Sequence, residues 1–281
     1  MTSGRDLLRL AGPRAPRSPA VIVASPDYGP SPSPVVPGTV SFAPLAGAAA
    51  EVDQLRPFFP TAPLTGAAAT KRALAALAGP AILHVATHGF YTRGSAATAP
   101  APAPAAGSGS ATTHAQRGMV VKGSTASQPP PDDPLDALDQ AGLAMAGANQ
   151  GADGIVTARE IASFDWWGTK LVVLSACETG VGAVPSGDGV YGLRRAVVLA
   201  GVEAQVVSLW NVNDSSVQEL MRAYYDDLAR GTGRAEALRQ AKLRLLRESR
   251  YAHPHYWAAF ILAGDWTPLD KTVLRQAGST P

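Results

Sequence analysis

Apolar positions in this chain fall into two rhythms. Short, nearly unbroken apolar runs at residues 20–25, 81–87, 171–176 and 204–209 alternate with longer stretches in which apolar residues return every three or four positions. Runs of that length are the pattern of strands buried on both faces. The second rhythm is clearest at 213–230, where Val217, Leu220, Met221, Tyr224 and Leu228 line one helical face. It also predicts helices over 45–58, 65–77 (with Thr65 as the cap), 189–199 and 234–248. Thr157-Ala158-Arg159-Glu160 has capping-box spacing and predicts the start of another short helix. A last strand is expected over 257–263, before Gly264-Asp265, and a shorter one over 142–148. Strands that alternate with helices imply an α/β fold, a mostly parallel sheet with helices on both faces.

Composition interrupts this pattern twice. Residues 1–18 are rich in Arg, Pro, Gly and Ser without an apolar period, and are read as a flexible lead-in. Residues 94–134 are mostly Ala, Pro, Gly, Ser and Thr, too little apolar surface to order a segment, and are read as a disordered insertion with one short strand at 118–123. The folded domain is therefore assigned to 19–268, with 269–281 as a tail. Lys plus Arg number 24 against 22 Asp plus Glu, so the formal charge of +2 gives no strong attraction to nucleic acid or an anionic membrane. The apolar runs are too short to span a bilayer, and the basic start has no apolar signal core, so a cytoplasmic protein is expected.

The chain has one cysteine, Cys177, so it forms neither an internal disulfide nor a multi-thiolate metal site. It is either a small core residue or a reactive thiol. Its position favours the thiol, because it follows the apolar run 171–176 and precedes a loop with Gly180, Gly182, Pro185 and Gly187. His88-Gly89 follows the run 81–87 in the same way. In an open α/β sheet the ligand crevice lies at the carboxyl ends of the strands, which is where both residues belong. A thiol near pKa 8.5 needs an adjacent imidazole to become a nucleophile at neutral pH. The amides of Gly89 and Cys177 are the candidates to hold an oxyanion.

Four segments in order resemble the signature segments of CHAT domains. They are Ile82-Leu83-His84-Val85-Ala86-Thr87-His88-Gly89, Val172-Val173-Leu174-Ser175-Ala176-Cys177-Glu178-Thr179-Gly180, Ser208-Leu209-Trp210, and His255-Tyr256-Trp257-Ala258-Ala259-Phe260. The resemblance covers about 19–266 and implies a caspase-like three-layer sandwich. It implies a cysteine endopeptidase with His88 as general base, Cys177 as nucleophile, and the Gly89 and Cys177 amides as the oxyanion site. It further implies a polypeptide substrate and no cofactor. The dyad spacing, 177 minus 88 or 89 positions, exceeds the caspase spacing of about 50, and the insertion accounts for the excess. CHAT domains often end a longer chain of helical repeats; this sequence shows no such repeat, so regulation is assigned to a partner or an upstream sensor.

Other candidates carry alternatives. Asp188 caps or charges the helix that follows it, or binds substrate. Asp214 caps the helix after Trp210-Asn211-Val212-Asn213 or, by resemblance to separase, pairs with a basic residue before the cut. Trp210 lines the same pocket or belongs to the core. His84 is read as a core histidine, and His253 and His255 as packing or turn residues rather than metal ligands. The competing function is a caspase-like scaffold without turnover; a nucleotide-binding domain is disfavoured, since no GxGxxG or P-loop lysine motif follows a strand.

Overall fold

A computed structural model describes residues 15–31, 41–91, 136–175, 188–270 and 273–274. The insertion with its expected strand at 118–123, His114 and Cys177 lie outside these residues.

The apolar runs become the centre of a six-stranded sheet. Its strands are β1 (Val21–Pro26), β2 (Leu64–Gly66), β3 (Ile82–Ala86), β7 (Leu171–Leu174), β8 (Ala204–Ser208) and β9 (Phe260–Gly264), in the spatial order β2-β1-β3-β7-β8-β9. All neighbours pair parallel except β9, which runs antiparallel to β8. Every residue of β3, β7 and β8 is buried. Alternate side chains feed two cores. Ile82, Ala86, Leu171 and Val173 enter one with α1 (Ala46–Leu55), α6 (Asp214–Ala229) and α7 (Arg234–Arg247). Leu83, Val85, Val172 and Leu174 enter the other, with α3 (Asp136–Gln140), α4 (Ala158–Ile161) and α5 (Asp188–Leu199). Each such Val, Leu or Ile contributes about 1.5–3 kcal/mol on burial, so these strands form because both faces are covered. The result is the three-layer α/β, caspase-like architecture expected from the sequence.

A second, three-stranded antiparallel sheet joins β4 (Gly89–Tyr91), β5 (Ala141–Ala144) and β6 (Ile155–Thr157). It begins directly after His88 and fixes how that residue leaves the main sheet. The Ala144 amide donates to the His88 carbonyl at 2.9 Å. The Thr87 hydroxyl donates to the Ala144 carbonyl and accepts from the Tyr28 hydroxyl.

Three expectations need correction. Residues 65–77 are not one helix: Thr65 pairs beside Ala24 in β2, and the helix is a single turn, α2 (Lys71–Ala75), capped by Thr70, whose hydroxyl accepts from the Ala73 amide. The strand placed at 142–148 stops at Ala144, because residues 146–150 form turns, with Gly147 at φ 81°. The cap of α6 is Asn213, whose side chain accepts from the Ser215 amide; Asp214 is the first helical residue. The capping box at Thr157 and Glu160 forms as expected, with both reciprocal bonds present. Packing also starts ahead of residue 19, since Arg17 pairs with Asp165 and Ser18 bridges Pro80.

Candidate functional site

β3 ends at Ala86, and Thr87-His88 emerge at its carboxyl edge. The His88 side chain is enclosed, at 7% exposure, between the rings of Tyr28 (5.2 Å between centroids) and Phe42 (5.7 Å). Its Nε2 lies 2.7 Å from the Ala43 carbonyl oxygen. A carbonyl only accepts, so the proton belongs on Nε2, and the neutral ring keeps Nδ1 as its basic atom. Burial lowers the His88 pKa, against a smaller upward pull from the Ala43 hydrogen bond, so the ring favours its neutral, proton-accepting form.

The loop that supplies Ala43 is itself clamped. Asn149 accepts from the Phe42 amide at 2.9 Å and donates to the Phe42 and Gly29 carbonyls at 2.9 and 3.0 Å. One side chain thus ties the segments that carry Tyr28 and Phe42, the two rings that hold His88.

Beside His88 a cleft of about 490 Å³ opens between the strand tips and the helices above them. Ala86, Thr87 and His88 form the β3 side, Ser175 stands at the β7 exit, and Asn211, Val212, Asp214 and Val217 come from the loop after β8 and from α6. The first turns of α1 supply Leu45, Gly47, Ala48 and Glu51. A Cβ on Gly47 would lie 2.2 Å from the Asp214 side chain, so the glycine is what allows α1 to approach that carboxylate. The charged groups on this cleft, among the described residues, are the carboxylates of Glu51 and Asp214. Below it Glu51 Oε1 is 3.1 Å from His84 Nε2, and Glu51 Oε2 accepts from Ser175 Oγ at 3.3 Å.

The structure therefore brings together His88, Asp214 and the β7 exit that leads to Cys177. Gly89 opens β4, paired with Leu143. Asp188 is the first residue of α5, and its side chain lies outside the described residues. Trp210 is not among the described cleft residues; it is 36% exposed and donates its indole N–H to the His255 carbonyl at 3.1 Å. His253 accepts from the His255 amide as the cap of a short turn. His84 is fully buried, as a core histidine should be. No group of three or more candidate metal ligands occurs among the described residues, and no helix among them is long and apolar enough to cross a membrane.

Sequence reasoning missed Tyr28, Phe42, Ala43, Asn149 and Glu51. Ala43 acts through its backbone and leaves no side-chain signal. Glu51 did leave one: it is a lone carboxylate among Ala48, Val52 and Leu55 on the inward face of α1.

A mostly parallel six-stranded sheet covered by helices on both faces has the organisation of a caspase-like domain. A family model described as the CHAT domain matches residues 1–265, so the chain belongs to the CHAT family of caspase-like peptidases. It is also similar to tetratricopeptide repeat protein 28 of Homo sapiens, 33% identical over 102 residues, and to that of Mus musculus, 32% identical over the same length. Each match covers 36% of this chain and 4% of the relative. The chain thus corresponds to a small part of those proteins.

Proposed function

We propose that the chain is a cysteine endopeptidase in which Cys177 attacks a peptide carbonyl and His88 moves the proton. His88 Nδ1 takes the thiol proton, the thiolate forms the acyl bond, and the same nitrogen returns the proton to the departing amine. Water then enters, gives a proton to His88, and releases the carboxylate and the thiol. The amides of Gly89 and Cys177 are assigned to the oxyanion. The observation that carries the reading is the His88 ring itself: buried at a strand tip, with Nε2 committed to Ala43, it is left with one basic atom. A folded domain that needed only packing at this point would gain more from an apolar side chain.

The acidic cleft supports a basic side chain before the scissile bond, with Asp214 as its partner. Asp214 is exposed at the start of α6 and within the cleft that contains His88. The proposed substrate is an extended polypeptide, and regulation is assigned to a partner or an upstream sensor. The test is a peptide-library cleavage assay with wild type, Cys177→Ala and His88→Ala. Cleavage by wild type alone supports the reading. Equal cleavage by either variant would refute it, and no labelling of Cys177 by peptide-like electrophiles would favour a scaffold without turnover.

A further inference from the structure

α1 reads Ala-Gly-Ala-Ala-Ala-Glu-Val-Asp-Gln-Leu, and its two charged residues have opposite fates. Asp53 faces solvent, whereas Glu51 is only 4% exposed. Burying a carboxylate is costly unless its neighbours return the polar contacts it had in water. The neighbours of Glu51 come from the two strands that lead to the dyad. Through Oε1 it meets His84 of β3, at 3.1 Å and off the line of a hydrogen bond. Through Oε2 it accepts from Ser175 Oγ at 3.3 Å, immediately past the end of β7. His84 is held from its other side, with Nδ1 3.1 Å from the hydroxyl of Tyr225 on α6. Burial keeps that phenol protonated, which leaves it able to donate to Nδ1.

In the sequence His84 is four residues before His88, and Ser175 is two residues before Cys177. The backbone reinforces the link, since the Ser175 amide donates to the Val85 carbonyl at 2.9 Å. One carboxylate thus grips a side chain on each strand, on the face that opens into the cleft. A buried ionic group is a poor way to gain stability alone, because well-packed apolar side chains of similar volume often serve as well or better. What an apolar group cannot do is hold the serine at the β7 exit and the histidine inside β3 through one side chain.

We propose that Glu51 is a positioning residue for the peptidase reaction, fixing the exit of β7 against β3 through Ser175 and His84. The proposal rests on the dyad reading. It predicts that losing the carboxylate lowers the reactivity of the nucleophile without weakening substrate binding. A displacement of about 1 Å costs on the order of a hundredfold in rate when reacting groups are held for in-line contact.

The test uses the full chain with Glu51→Gln, Glu51→Met and Ser175→Ala. Three quantities are followed: alkylation of Cys177, the sole cysteine, by iodoacetamide across pH; steady-state peptide cleavage; and thermal unfolding. Glu51→Met leaves His84 and Ser175 without their partner and should unfold below the wild-type temperature, yet its folded fraction should lose about ten- to a hundredfold in kcat at unchanged KM. Its alkylation should slow about tenfold at neutral pH, with the midpoint moved towards that of a free thiol. Ser175→Ala should give a smaller loss of the same kind and carries the test if both Glu51 variants fail to fold. Unchanged kcat and alkylation in the folded variants would overturn the proposal. So would a loss confined to KM for peptides with Lys or Arg before the cut, which would make Glu51 a ligand for the substrate cation instead. If wild type alkylates but cuts no peptide, the peptidase reading fails, and the alkylation rates still decide the role of Glu51.

Discussion

The two faces of the central sheet are made from alternate residues of the same strands, yet they do different work. Towards α5, Leu83, Val85, Val172 and Leu174 meet Leu193, Ala196 and Val197. Towards α1 and α6, Ile82, Ala86, Leu171 and Val173 are joined by His84, held between Glu51 and Tyr225, and this face opens into the cleft beside His88. The period of two along a strand makes the division achievable: one residue serves packing and the next serves chemistry without a change of backbone. The cost is uneven: the α5 face buries Gln205, whose amide donates to the Arg194 carbonyl at 3.0 Å, whereas the cleft face buries Glu51 and His84, whose partners are distant in sequence.

The largest effect expected is on the cleft side. His88→Ala should reduce peptide cleavage per folded molecule by about 10²–10⁴-fold, the range for loss of a positioned acid–base group, an effect far larger than the stability lost when the ring leaves its place between Tyr28 and Phe42. Circular dichroism melts and cleavage rates on the same preparation check this; a matching fall in both would show that His88 is a packing residue. On the other face the balance should reverse. Leu83 is fully buried, and Leu83→Ala should cost about 2–5 kcal/mol in a denaturant titration while cleavage per folded molecule is retained. A variant that keeps its stability and loses activity would erase the distinction between the faces.

The packed elements were more legible than the cleft. β3, β7 and β8 announce themselves as runs of Ile, Leu and Val, and the buried side of α6 follows from its period. β2, β4 and β6, of three residues each, do not. Leu64-Thr65-Gly66 becomes a strand because β1 offers it an edge, a tertiary cause with no local pattern. Likewise Asn213 and Asp214 are both good caps by residue type, and the turn geometry chose the first. In the site, the position of His88 could be read from its place after an apolar run. Its setting could not, because Ala43 is 45 positions away and Asn149 reaches Phe42 across 107. Sequence patterns carry local periods well; they do not carry a carbonyl that arrives from another loop.

A smaller effect should separate the two acidic groups of the cleft. Asp214 is exposed, so Asp214→Asn should raise KM about three- to tenfold for peptides with Lys or Arg before the cut, the worth of a partly screened charge contact. Peptides with an uncharged residue there should be unaffected. Equal changes for both peptide classes would remove Asp214 from the specificity pocket and leave it as a helix-terminal charge.

The finest difference lies in the protonation of His88. Its ordinary value is 6.5, and burial lowers it. Since the unfolded chain then binds a proton more readily than the folded one, the neutral ring contributes stability above the unfolded value, and that contribution is lost as pH falls through the folded value. The same direction keeps Nδ1 available as a base below the pH at which a free imidazole would be half protonated. NMR titration of the His88 ring in Cys177→Ala, which removes the thiol from the coupling, should give a midpoint below 6.5. Asn149→Ala, which loosens the loop behind Ala43 and lets water reach the ring, should move that midpoint up towards the ordinary value. A wild-type-like ring midpoint at or above 6.5 would mean that the enclosure by Tyr28 and Phe42 does not desolvate His88, and that the cleft face is wet at the one place where its chemistry needs it dry.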